Sequence, residues 1–133
     1  MEMCIKEVHG REVLDSRGNP TVEAEVILYD GTKGTGIAPS GASTGAYEAI
    51  ELRDNNPDRY NKKGVLYAVG NINTEINALL SGINVYDQRK IDRIMADADG
   101  TPGKGRLGAN AILAVSIACA HAAAKSLKIE LFQ

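Results

Sequence analysis

The sequence predicts an α+β fold, a three-stranded antiparallel meander followed by a helical bundle. Two changes of pattern and one set of turn signals predict it. Apolar residues alternate with period two in the first third of the chain and recur at helical spacing in the rest. Short glycine- and asparagine-containing turns separate the early segments, as a meander of neighbouring strands requires.

Taken in order, "CIKEVHGREVLD" reads as a first strand before the turn "DSRGNP". "TVEAEVILYD" places Val22, Ala24, Val26 and Leu28 on one face and Glu23 and Glu25 on the other. Asp30-Gly31 then predicts a two-residue hairpin, with "TKGTGIAP" as the returning strand. From residue 64 the period changes. Val65, Val69, Ile72, Ile76 and Leu79 predict an inward helical face, and Gly82 is its stop. "DQRKIDRIMADADG" predicts a second helix, capped by Asp87, with Ile91, Ile94 and Met95 inward. A third helix, with residues 110–126 as its body, is about 26 Å long. It carries two apolar stripes, Ile112, Val115 and Cys119 on one and Leu113, Ile117, Ala120 and Leu127 on the other. A helix apolar on two sides is expected to be covered on two sides.

A length of 133 residues suits one domain with its own core. The net charge of −2, with one lysine doublet, gives no basis for a nucleic-acid or membrane-surface partner. Cys4 and Cys119 each lie in apolar segments and read as buried, reduced thiols, which points to a reducing compartment. "MEMCIKEV" lacks the pattern of a signal peptide, and "AILAVSIACAHAAA" is shorter than a membrane span. A soluble, cytoplasmic protein without a membrane span is the expectation.

Two glycine-rich segments imitate nucleotide motifs. Residues 36–43, "GIAPSGAS", have phosphate-loop spacing, but Ala42 stands where the loop needs the lysine that neutralises phosphate. Residues 103–108, "GKGRLG", match the dinucleotide fingerprint but follow a helix, where that fold requires a strand. Neither predicts nucleotide binding. His9 and His121 lack partners at zinc-ligand spacing. The segment with chemistry left in it is "APSGASTGAYEAIELRD", residues 38–54. Ser40, Ser43 and Thr44 offer hard oxygen donors suited to magnesium, and Gly41 and Gly45 let the backbone approach a ligand closely. Such a segment can serve as a lid that expels water from a site, or simply as a turn between strand and helix.

Five ordered stretches, "LDSRGNPTVEAEV", "PSGASTGAYEAIELRD", "KGVLYAV", "DGT" and "LGANAILAVSIACAHAAA", resemble the N-terminal domain of enolase (phosphopyruvate hydratase) across essentially the whole chain. That resemblance implies a lyase of glycolysis that dehydrates 2-phosphoglycerate to phosphoenolpyruvate with two magnesium ions. It implies that Gly41, Ala42 and Ser43 form the loop over the substrate, with Ser43 ligating the second magnesium through its hydroxyl and carbonyl. It implies further that Arg11 and Glu23 make ion pairs across a homodimer with the opposite barrel. The base, the acid and the three carboxylate metal ligands of that family lie in a C-terminal β/α barrel, absent from residues 1–133. No catalytic residue is therefore assigned here, and the chain alone is expected to be inactive. Tyr47 stands where family members often carry histidine, and "TPGKGRLG" is richer in glycine than its usual counterpart, which suggests a looser loop. The resemblance also implies a secondary presence at the cell surface. The alternative from another class is a stand-alone interaction module that keeps the fold without catalysis.

Overall fold

The computed structural model describes residues 3–38, 51–54, 58 and 64–127, and among these three strands are followed by a run of helices. The strands β1 (Ile5–Leu14), β2 (Pro20–Leu28) and β3 (Lys33–Ile37) make an antiparallel sheet in the order β1-β2-β3, the meander expected from the pattern. Asp15 organises the first turn: its carboxylate accepts the Arg17 and Asn19 amides, both at 2.9 Å, and Gly18 turns with a φ of 79°. The second connection is longer than the two residues expected. Leu28 N–H donates to the Thr32 carbonyl at 2.8 Å, and Gly31, with a φ of 91°, donates to Leu28. Three residues therefore lie in the loop, with glycine at its left-handed position.

The inner face of β2 is as the alternation predicts, with Val22, Ala24, Val26 and Leu28 all fully buried. Across it run two rows of unequal height: Val8–Val26–Gly34 and Gly10–Ala24–Gly36. The small rows admit the helices. A Cβ on Gly36 would lie 2.5 Å from the Ala114 carbonyl oxygen and 2.6 Å from the Ala118 nitrogen, and one on Gly34 would collide with the Ala118–Ala122 backbone. Helix α4 (Ala109–Leu127) thus lays its Ala114, Ala118 and Ala122 stripe directly on β3. By length and composition this 19-residue helix could cross a bilayer, but its buried alanine stripe against glycine is that of a core helix.

The segment 66–80 is helical throughout but not uniform. It runs as α1 (Leu66–Asn71), a π-helical stretch Ile72–Ile76 and α2 (Asn77–Leu80). The wide π turn changes which residues face in. Val65, Ala68, Ile72, Ile76 and Leu80 are fully buried, while Leu79, expected inside, is 36% exposed. A four-residue step overshoots a turn in an α-helix but stays aligned when π turns intervene. Gly82 ends the segment as expected, with a φ of 87°. Helix α3 (Gln88–Asp99) is capped by Asp87, whose carboxylate accepts the Lys90 amide at 3.3 Å, and it buries Ile91 and Met95 with Ile94 half-buried.

The first stripe of α4, Ile112, Val115 and Cys119, is buried. Burial, together with the Asp92 charge, pushes the Cys119 thiol up to about 12. The second stripe is only partly covered, with Leu113 packed at the rim of the core and Leu127 55% exposed.

Candidate functional site

Gly41, Ala42 and Ser43 lie outside the described residues, and the site is built from what holds the two ends of their segment. On the incoming side, Ala38 leaves β3 tied to β2: its N–H donates to the Val22 carbonyl at 3.0 Å, and its carbonyl accepts the Thr21 hydroxyl. Thr21 is 3% exposed, so this bond is made in the interior. The small-residue segment therefore departs from a fixed point beside the start of β2.

On the outgoing side every residue from 51 to 54 is fastened. Asn110, in the first turn of α4, accepts the Leu52 amide at 3.0 Å and donates its own amide to the Leu52 carbonyl at 3.3 Å. Its oxygen also accepts the Ala111 amide at 3.1 Å, so both ends of this buried amide are hydrogen-bonded. Gly108 makes room for this clasp. Its φ is 101°, and a Cβ there would lie 2.6 Å from the Asn110 oxygen and 2.7 Å from Leu52 Cβ. Arg53 donates to the Pro20 carbonyl at 2.7 Å and pairs with Glu51 at 2.8 Å, which returns the outgoing end to the start of β2. Asp54 then caps the next helix by accepting the Leu66 and Tyr67 amides at 2.8 and 2.9 Å. Both ends of the segment thus meet at Pro20–Val22, at the head of β2.

The glycine-rich connection between α3 and α4 is more tightly held than its composition suggests. Asp99, 2% exposed, accepts the Leu107 amide at 2.7 Å, the Thr101 amide at 3.1 Å and the Thr101 hydroxyl. Burial pushes its carboxyl up, but these hydrogen bonds outweigh that and hold it below the usual carboxylate range. Arg106 pairs two-fold with Glu75 of the π stretch, at 2.6 and 3.0 Å, and holds that carboxyl low as well. This connection sets the position of Gly108, and through it the clasp on Leu52.

Arg11 and Glu23 face each other on the outer side of the sheet, with Arg11 Nε 3.0 Å from Glu23 Oε1 and a longer contact of 3.7 Å to Glu25. The pair is thus made within one chain, between neighbouring strands. Sequence reading missed Asn110, Arg53 and Thr21 as site-forming residues. The signals were present: a buried asparagine at the head of an otherwise apolar helix, and a glycine two residues before it.

Among the described residues no group of three or more His, Cys, Asp or Glu is placed to hold a metal ion. The donor this chain can offer is of the serine hydroxyl and carbonyl type in the 39–50 segment, hard oxygen that suits magnesium.

A meander with helices on one face, fastening both stems of a small-residue segment beside the head of its middle strand, defines an α+β domain. The sequence profile described as "Enolase, N-terminal domain" matches residues 5–133, and the chain belongs to that family. It is 57% identical over 133 residues to the protein named enolase 2 of Pseudomonas syringae pv. syringae (strain B728a), covering 100% of this chain and 31% of that relative. It is 56% identical over the same 133 residues to the enolase 2 of Pseudomonas syringae pv. tomato (strain ATCC BAA-871 / DC3000). The chain therefore spans about a third of the length of these curated relatives.

Proposed function

We propose that this chain works as the N-terminal domain of a phosphopyruvate hydratase, which dehydrates 2-phosphoglycerate to phosphoenolpyruvate. The match to the enolase N-terminal profile over residues 5–133 carries that reading. Within it, Gly41, Ala42 and Ser43 cover the substrate, and Ser43 supplies oxygen to the second of two magnesium ions. The ions offset the charge that develops when a proton is taken from the carbon beside a carboxylate. The chain's own part is positional. Thr21 and Val22 hold Ala38, and Asn110 and Arg53 hold residues 52–53, so the loop's reach is fixed at both stems. A restrained connection loses less entropy on closing than a free one, which favours bringing one ligand to a shared ion.

The base, the acid and the remaining ligands belong to the C-terminal barrel of the full enzyme, against which the partly covered Leu113–Ile117 stripe packs. Arg11 and Glu23, paired here at 3.0 Å, are offered to the opposite barrel in a homodimer, exchanging an exposed ion pair within the sheet for contacts across the interface. The protein acts in the cytoplasm, with a secondary presence at the cell surface.

The division of labour is tested by adding 2-phosphoglycerate and magnesium to residues 1–133 alone. The expected result is no phosphoenolpyruvate absorbance. Turnover by this chain alone would overturn the assignment of acid–base chemistry to the barrel.

A further inference from the structure

The stretch "GKGRLG", residues 103–108, imitates a dinucleotide fingerprint, and the fold puts it to another use. Of its three glycines only Gly108 has a left-handed φ, 101°. The other left-handed residue is Lys104, at 58°, although a glycine stands on either side of it. A side chain in that region is strained and persists only where its surroundings fix the backbone. Here they do: Lys104 N–H donates to the Thr101 carbonyl at 3.2 Å, and its carbonyl accepts the Gly108 amide at 3.0 Å.

Arg106 fastens the same connection from outside. Its guanidinium donates to two backbone carbonyls at the end of α3, Asp99 at 3.1 Å and Ala98, and forks onto both Glu75 oxygens at 3.0 and 2.6 Å. Those carbonyls lie in the last turn of a helix, where the helix itself supplies no donor. The backbone is held as well. Asn71 Nδ2 donates to the Arg106 and Leu107 carbonyls at 3.4 and 3.1 Å, and the Leu107 amide donates to the buried Asp99 carboxylate at 2.7 Å. Residues 106 and 107 thus tie the 66–80 segment to the end of α3, immediately before Gly108. At Gly108 there is no slack left, since a Cβ there would lie 2.7 Å from Leu52 Cβ, and Asn110 clasps the same stem two residues on. A displacement at 106–107 is therefore passed to Leu52.

We infer that Arg106 is a positioning residue for the loop over the substrate, setting from the far side of the α3–α4 connection where the outgoing stem stands. The inference rests on the reading of Gly41, Ala42 and Ser43 as that loop. As an exposed ion pair with Glu75, Arg106 would contribute little. Its grip on the backbone gives it the positional role, and its action on Leu52 runs through residues 107–110. A ligand carried on a loop binds more weakly when the stem wanders, because the closed arrangement is then a smaller share of the population.

The test compares Arg106→Ala and Ser43→Ala with the wild type in the complete natural protein. Amide exchange at Leu52 is read without substrate, and turnover of 2-phosphoglycerate is read across a magnesium titration. Arg106→Ala is expected to speed Leu52 exchange about fivefold or more and to raise the magnesium requirement of the second ion about threefold or more, with the first ion bound as in the wild type. A lower urea midpoint with Leu52 exchange and magnesium requirement both at wild-type values overturns the inference, because Arg106 then only stabilises the fold. An unchanged requirement in Arg106→Ala beside a raised one in Ser43→Ala also overturns it, while the reading of the loop stands. An unchanged requirement in both variants overturns that reading and the inference with it. If Arg106→Ala does not fold, Arg106→Lys, which keeps the charge but loses the planar fork, carries the same expectations.

Discussion

Asn110 and Leu52 hold each other in both directions: the Asn110 oxygen takes the Leu52 amide at 3.0 Å, and its nitrogen gives to the Leu52 carbonyl at 3.3 Å. The pair joins the head of α4 to the outgoing stem of the small-residue segment, 58 positions away in sequence. Asn110→Ala leaves two backbone groups and the Ala111 amide short of a partner in a buried setting. The expected loss is about 2–3 kcal/mol, read as a lower urea midpoint with an unchanged slope. A loss below about 0.5 kcal/mol would mean that water replaces the clasp without cost.

The contact of β3 with α4 depends on the absence of two methyl groups. Gly36→Ala would set a Cβ 2.5 Å from the Ala114 carbonyl oxygen, so the helix must move away from the strand. Overpacking of this kind costs about 1–3 kcal/mol, and Gly34→Ala is expected to cost at least as much. Gly70→Ala makes the opposite case. Nothing lies within 4 Å of its Cβ, and the helical backbone suits alanine, so a gain of about 0.5–1 kcal/mol is expected. Thermal unfolding of the three variants checks the order.

Asp99 links pH to stability. Burial raises its carboxyl, but the hydrogen bonds from Thr101 and Leu107 lower it further, so its folded value lies below its unfolded one. A depressed carboxylate adds stability above the unfolded value, and that contribution disappears as the pH falls through the folded one. The wild type is therefore expected to lose stability below about pH 4 more steeply than Asp99→Asn, whose acid limb should be flatter. Denaturation curves across that range decide it; identical acid limbs would assign the pH dependence to other carboxylates.

The sheet was legible because burial of one face imposes period two, and Val22, Ala24, Val26 and Leu28 obey it. Asp87 and Gly82 were legible because caps are local chemistry. The inward face of 66–80 was not fully legible. Apolar residues at both 79 and 80 leave the choice to the π stretch, which depends on tertiary contacts with β1. Gly34 and Gly36 read as ordinary strand residues, since the helix that excludes their side chains lies about eighty positions further on. Asn110 was hidden for the same reason, because its partner is brought to it only by the fold. The Arg11–Glu23 contact follows directly from register once the turn at Asp15 is placed.

The complete natural protein carrying Ser43→Ala, assayed for conversion of 2-phosphoglycerate across a magnesium titration, bears most directly on the role of this domain. Loss of one oxygen donor from the second ion predicts slower turnover and a higher magnesium requirement for that ion, with the first ion bound as in the wild type. Wild-type turnover with a wild-type magnesium dependence would show that residue 43 gives no ligand to the site.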